Sequence, residues 1–349
     1  MECGVRIYSS KRDVNNIMKQ IRFAVFADLH IDITPIALDY FKQFVKDLAT
    51  QKTDFVIQLG DPVVARPWIE EYYKDPASFV MPEEWAKESK NLEYHKEYYQ
   101  HFLEMKKALP NLYSVLGNHD HDRADKQYLT RVLSMPAPYY CFTVNGFDLI
   151  ALDSNNYYVG DEFIPYDRQN YMKDKREGKK LDALGAEQLE WLRKTLAAND
   201  HPAILFAHAP MDTGIAEREE FAAILREAKA AGKKIIMCAN GHSHIDSLNV
   251  VDGVHYWEVN GMTYRFLSRQ LEPAHYFGEE LSARYLNIRF GAPYTAPLYA
   301  YVTVREDGYV KIEGKTAEYM HPTPEERGFV EHNPKAGGPE IKSHEFYAD

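Results

Sequence analysis

Five short apolar runs in this chain each end in a carboxylate, an amide or an imidazole. Residues 21–27 lead to Asp28-Leu29-His30, 54–60 to Asp61, 112–117 to Asn118-His119-Asp120, 202–207 to His208, and 234–241 to His242-Ser243-His244. Continuous apolar runs of this length read as strands buried on both faces, and such strands deliver their carboxyl-end residues to one edge of a parallel sheet. Buried there without compensation, each polar group would cost roughly 2–7 kcal/mol, so the set needs a shared charged partner. A pair of divalent cations supplies one. Carboxylate, amide and imidazole donors without thiolate favour Mn, Fe, Zn or Co, and zinc-finger spacing is absent.

The elements that must position these groups follow from periodicity. Asp28 and His30 project to the same side if the strand conformation persists through them. Ile36, Tyr40, Phe44, Val45 and Leu48 have helical spacing, so 21–61 reads as strand, helix, strand, the unit of a largely parallel sheet. Residues 139–144 and 147–152 predict a hairpin around Asn145-Gly146, with Asp153 and Asn155 at its end placed to support the ligands. A charged loop over 166–180 precedes an amphipathic helix from Gly185, and 219–230 is a crossover helix. From 254 to about 320 the pattern alternates, predicting antiparallel strands of a second sheet followed by an irregular tail. Residues 62–108 are rich in aromatics and predict a surface helical insertion that packs its aromatics onto the domain; its position directly after Asp61 leaves a cap over the site as the alternative.

Composition narrows the partners. The 349 residues contain no linker or repeat and predict one elaborated domain over 1–349. Lys plus Arg number 41 against 52 for Asp plus Glu, a formal charge of -11 that repels a polyphosphate backbone; no nucleic-acid partner is expected. No run is apolar and long enough for a membrane span or a secretory signal, so no membrane association is expected. Cys3, Cys141 and Cys238, odd in number and without C-x-x-C spacing, predict reduced thiols and a cytoplasmic protein.

Taken together, D-x-H at Asp28 to His30, G-D at Gly60-Asp61, G-N-H-D at Gly117 to Asp120, the lone His208 and G-H-x-H at Gly241 to His244 resemble the calcineurin-like metallophosphoesterase superfamily in order and spacing. The resemblance implies a four-layer α/β/β/α sandwich with two mixed sheets flanked by helices. It implies one metal held by Asp28, His30, Asp61 and His244 and a second held by Asp61, Asn118, His208 and His242, with Asp61 bridging. Two cations ~3.5–4 Å apart would clamp a phosphate oxygen and make a bridging hydroxide available for in-line attack on phosphorus. His119 would protonate the leaving oxygen, with Asp120 either orienting it or closing the turn. Expected substrates are small phosphodiesters, nucleotides or phosphomonoesters; a nuclease and a non-catalytic metal-binding scaffold are the competing readings.

One departure qualifies the resemblance. Protein phosphatases of the superfamily carry an Asp-Arg pair three and four residues after the G-D aspartate, and Val64 and Ala65 stand there. The carboxylate that holds the catalytic histidine and the arginine that grips a phosphomonoester are missing from their usual place, which shifts weight toward diester or nucleotide-type substrates. Arg66, Arg123 and Lys126 are alternative phosphate contacts, and His121 lies close to the site.

Overall fold

The computed structural model describes residues 18–63, 100–104, 106–109, 111–122, 124–198, 200–267, 271–332 and 337–348. Among the described residues the first elements are β1 (Gln20–Phe26), α1 (Ala37–Leu48), β2 (Phe55–Gln58) and β3 (Leu112–Ser114), followed by α2 (Lys126–Leu133) and the hairpin β4 (Tyr140–Val144) and β5 (Phe147–Ala151). Asn145 at φ 49° and Gly146 at φ 83° make its tight turn, two left-handed residues whose twist matches the flanking strands. Next come β6 (Asn156–Val159), β7 (Glu162–Pro165), the single-turn helix α3 (Asn170–Lys173) and β8 (Lys179–Lys180). Helix α4 (Ala186–Ala198), β9 (Ala203–Phe206), α5 (Arg218–Ala230) and β10 (Ile235–Asn240) then alternate. The last elements are β11 (Ser247–Val251), β12 (Val254–Glu258), β13 (Tyr264–Phe266), α6 (Gly278–Arg284), β14 (Gly291–Pro293), β15 (Ala300–Arg305), β16 (Tyr309–Glu313) and β17 (His344–Tyr347).

Two six-stranded mixed sheets result, ordered β17-β16-β15-β1-β2-β3 and β11-β12-β10-β9-β5-β4. Strands β1, β2 and β3 are parallel, as are β12, β10, β9 and β5. The inner faces interlock through aromatics: Phe23 of β1 meets Phe206 of β9 edge-on at 5.9 Å, and Phe55 of β2 meets Phe142 of β4 at 5.9 Å. Outside the first sheet, α1 presents Phe41 and Phe44 to Phe26 at 5.5 and 5.2 Å, which is why its apolar residues recur at helical spacing. Outside the second, Leu189 and Leu192 of α4 and Phe221 and Ile224 of α5 join Ile150, Leu205 and Cys238 in a separate buried cluster. Each such side chain contributes about 1.5–3 kcal/mol of burial, and the layers are those of an α/β/β/α sandwich.

Three expectations change. The region from 254 onward does not form a sheet of its own: β12 runs parallel to β10 in the second sheet, whereas β15 lies antiparallel against β1 in the first. Alternation identifies a strand with two unlike faces but not its partner, and β1 has a free edge that β15 covers. The tail is not wholly irregular, because β17 pairs with β16 at the edge of the first sheet. Cys141 is disulfide-bonded rather than reduced, whereas Cys238 is a buried free thiol; an odd cysteine count carries no pairing information. The expected insertion over 62–108 falls mostly outside the described residues, with Phe102 stacked on Phe41 at 5.5 Å. Among the described residues no helix is long and apolar enough to cross a membrane.

Candidate metal centre

The carboxyl ends of β1, β2, β9 and β10 and the turn after β3 meet at one edge of the sandwich. Asp28, His30, Asp61, His242 and His244 all have left-handed φ, between 45° and 72°, a conformation costly for residues with a side chain and typical of functional sites. The expected extended conformation through Asp28 and His30 is therefore broken. Their side chains still converge, because the backbone is latched from the next strand: Asp28 N–H donates to Gly60 O at 3.1 Å and His30 N–H to Asp61 O at 3.1 Å. At Gly60, a Cβ would lie 2.4 Å from His208 Nδ1; at Gly117, one would lie 2.0 Å from Asp61 Oδ1. Both positions must be glycine for the strand ends to close on each other.

Two groups of ligand atoms form. On one side His30 Nε2 and His244 Nε2 face each other at 3.1 Å, with Asp28 Oδ1 at 3.6 and 3.5 Å from them. On the other, His208 Nε2 is 3.0 Å from Asn118 Oδ1 and 3.2 Å from His242 Nδ1, and His242 Nδ1 is itself 3.0 Å from Asn118 Oδ1. Asp61 Oδ2 lies between them, 3.2 Å from His208 Nε2 and 4.0 Å from His30 Nε2. The seven expected ligands are thus brought together. Asp28, His30 and His244 form one set of donors able to hold a cation, and Asp28, Asp61 and His208 another.

Electrostatics show that the donors suit cations. His208 Nδ1 bonds to Leu59 O at 2.7 Å and His244 Nδ1 to Tyr264 O at 2.9 Å, which directs both Nε2 atoms into the site. Asp28 Oδ1, fully buried, has no hydrogen-bond donor of its own. Burial opposes ionisation of Asp28 and Asp61, yet the surrounding histidines hold both carboxyls well below the usual range. Burial likewise opposes protonation of His208, but Asp61 and Asp28 override it and push its pKa up to about 10. His30 and His242 are carried down to about 4 by burial and stay neutral. Ionised Asp28 and Asp61 beside the neutral imidazoles of His30 and His242 leave an excess of electron-pair donors that positive charge would satisfy.

His119 opens a one-turn 3-10 helix, His119–Asp122, immediately after Asn118. Its ring is 5.7 Å from that of His30, and its side chain is 27% exposed, against 1% for His30 and His208. Of the two roles open to Asp120, its hydrogen bonds are those of closing the turn. It turns back to the backbone, where Oδ2 accepts from Gly117 N–H at 2.7 Å and Asp61 N–H at 3.3 Å. The carboxylate at His119 belongs to Asp122, with Oδ2 2.9 Å from Nδ1. The sequence reading passed over Asp122, although in a 3-10 turn residues i and i+3 eclipse. It also passed over Tyr171, whose hydroxyl donates to Asp122 Oδ1 at 3.0 Å and lies 3.4 Å from Asn118 O.

The remaining candidates lie behind this layer. Asn155 Nδ2 donates to Leu116 O at 2.7 Å and to Asp153 Oδ1 at 3.0 Å, bracing the turn that carries Asn118 as expected. Lys126 does not face the site: its ammonium donates to Asp153 and Asn156. His121 is fully buried, edge-on to Tyr166, and burial and Lys126 push its pKa down to about 3. Arg66 and Arg123 lie outside the described residues.

The comparisons with known proteins bear on the family and the fold. A family model described as calcineurin-like phosphoesterase matches residues 21–246. Among solved structures, a dimetal phosphatase from Danio rerio is similar at a TM-score of 0.55 and 13% identity, covering 94% of this chain and 99% of that one. PhoD, at 15% identity, 95% and 70% coverage and a TM-score of 0.47, and GAP50 of Plasmodium, at 13%, 95% and 90% and 0.48, are too distant to add to the argument. A comparison with curated proteins returned no match. The family match spans all five motif blocks and most of the chain: this protein belongs to the calcineurin-like phosphoesterase family and is a metal-binding phosphoric ester hydrolase of that family.

Proposed function

We propose that the chain hydrolyses small phosphoesters with two divalent cations, one held by Asp28, His30, His244 and Asp61 and the other by Asp61, Asn118, His208 and His242. The observation that carries this reading is the place of Asp61 Oδ2, between His208 Nε2 at 3.2 Å and His30 Nε2 at 4.0 Å, with a donor group on either side. Mn, Fe, Zn or Co fit such donors. When bound, the cations supply Lewis-acid polarisation of the phosphoryl group and a nucleophile available near neutral pH.

The chain's own residues do the rest. The neutral imidazoles and Asn118 leave positive charge uncompensated where a phosphoryl group gathers negative charge. Asp120, by gripping the amides of Gly117 and Asp61, fixes the two turns that carry Asn118 and Asp61. His119, on the open side of the ligand layer, delivers a proton to the leaving oxygen, an assistance worth roughly 10²–10⁴ in rate. Val64 and Ala65 provide no Asp-Arg clamp for a phosphomonoester, which supports a phosphodiester or nucleotide-type substrate. A scaffold role has no need of a complete ligand set with a histidine poised at its mouth.

The test is hydrolysis of bis-p-nitrophenyl phosphate and p-nitrophenyl phosphate by protein loaded with Mn²⁺ after removal of its metals. Turnover of both, faster on the diester and abolished by chelator, is expected. Equal turnover with and without metal contradicts the reading.

A further inference from the structure

Loss of the carboxylate three residues after Asp61 would leave a family histidine without its usual partner. In this chain the vacancy at Val64 is matched by an acid elsewhere. His119 Nδ1 is 2.9 Å from Asp122 Oδ2, and the Asp122 side chain is completely buried. The other oxygen, Oδ1, accepts from Tyr171 at 3.0 Å. Tyr171 is only 5% exposed and stacks on Tyr166 with ring centres 4.1 Å apart, so its hydroxyl is held in place. The same hydroxyl reaches Asn118 O at 3.4 Å, tying the carboxylate to a metal-ligand turn. A second tie comes from Gln169, whose N–H donates to His121 O at 3.1 Å. The segment from β6 to β8 is therefore docked on the 3-10 turn by two hydrogen-bonded contacts.

We propose that Asp122, locked by Tyr171, is the positioning carboxylate of His119, in place of the one absent at position 64. This rests on the reading of His119 as general acid. A carboxylate on Nδ1 keeps that nitrogen protonated and stabilises the imidazolium, which gives its Nε2 proton to the leaving oxygen and retains the Nδ1 proton. Nothing is consumed: the proton passes from Nε2 to the oxygen as the P–O bond breaks, and water returns it. The arrangement also gives a function to the three-stranded sheet β7-β6-β8, because the helix α3 between β7 and β8 brings Tyr171 to the site.

The test compares Asp122→Asn, Tyr171→Phe and His119→Ala, each loaded with Mn²⁺, on p-nitrophenyl and phenyl esters of the same phosphate. Phenolate leaves poorly and needs the proton; p-nitrophenolate needs it little. Asp122→Asn is expected to slow the phenyl ester roughly 10- to 100-fold, the range for groups that orient a functional imidazole, and the p-nitrophenyl ester much less. Tyr171→Phe gives the same bias at smaller amplitude, and Asp122→Asn adds little on top of His119→Ala. A second readout needs no turnover: in metal-free protein titrated until the His119 ring is neutral, ¹⁵N NMR should show its remaining proton on Nδ1, and Asp122→Asn should move it. Equal loss on both esters, additivity with His119→Ala or an unchanged tautomer overturns the proposal. If His119→Ala itself shows no leaving-group bias, the general-acid reading falls, and this proposal with it.

Discussion

The ligand platform and the arm that carries His119 are built on opposite principles. The platform is backbone work: strands buried on both faces, left-handed turns at five ligands, main-chain hydrogen bonds from 28 to 60 and from 30 to 61, and glycines with no room for a Cβ. The arm is held by side chains: His119 to Asp122, Asp122 to Tyr171, Tyr171 to Asn118. A platform of this kind tolerates almost no change, because moving one strand end moves every ligand. An arm of this kind is replaceable, since any chain segment that brings a carboxylate to Nδ1 serves. The combination of Val64 with Asp122 is what that freedom looks like in one chain.

Substitutions in the two regions should therefore fail differently. The largest effect is expected at Asp61→Ala, which removes the carboxylate proposed to be shared by both metals and leaves His208 without its partner; activity should fall by more than the ~10²–10⁴ attributable to a general acid, together with metal content measured by mass spectrometry. Gly117→Ala comes next. Its Cβ would sit 2.0 Å from Asp61 Oδ1 and 2.5 Å from Asp61 N, so both melting temperature and metal binding should drop, by about 1–3 kcal/mol or more for overpacking of this kind. His119→Ala should reduce turnover of a poor leaving group by about 10²–10⁴ while metal content and melting temperature stay put. If it loses metal as Asp61→Ala does, the division between platform and arm is wrong.

A smaller and more diagnostic effect concerns protons. Because Asp61 and Asp28 raise His208 to about 10, the metal-free site holds a proton on it at neutral pH. That ion pair stabilises the metal-free protein fully below the unfolded pKa of about 6.5, and the contribution disappears as pH rises through 10. Metal must displace this proton. Affinity should thus increase with pH between 7 and 10, and titration calorimetry in buffers of different ionisation enthalpy should register proton release. A pH-independent affinity over that range would mean that His208 is not a ligand.

The same contrast explains what the amino-acid sequence disclosed. Strand ends such as 21–30 and 202–208 were legible because burial on both faces leaves one local pattern, and because residue types at their ends are constrained by the chemistry. The sandwich came from the family resemblance that those strand ends carry. Asp122 was within reach, needing only that 119–122 be taken as a 3-10 turn rather than a loop. Tyr171 was not: it lies 49 residues from Asp122 in a segment that reads only as charged, and no local periodicity reports a docking contact. The destination of β15 was hidden for the same reason, since alternation says which face is buried and not which strand is the neighbour.

The most direct measurement is an anomalous-scattering map of crystals soaked in Mn²⁺. Two peaks are predicted, both within bonding distance of Asp61, one adjoining His30 and His244 and the other His208, His242 and Asn118, with His119 next to them but bound to neither. A single peak, or two that do not share Asp61, would contradict the dinuclear centre from which the proposed chemistry is built.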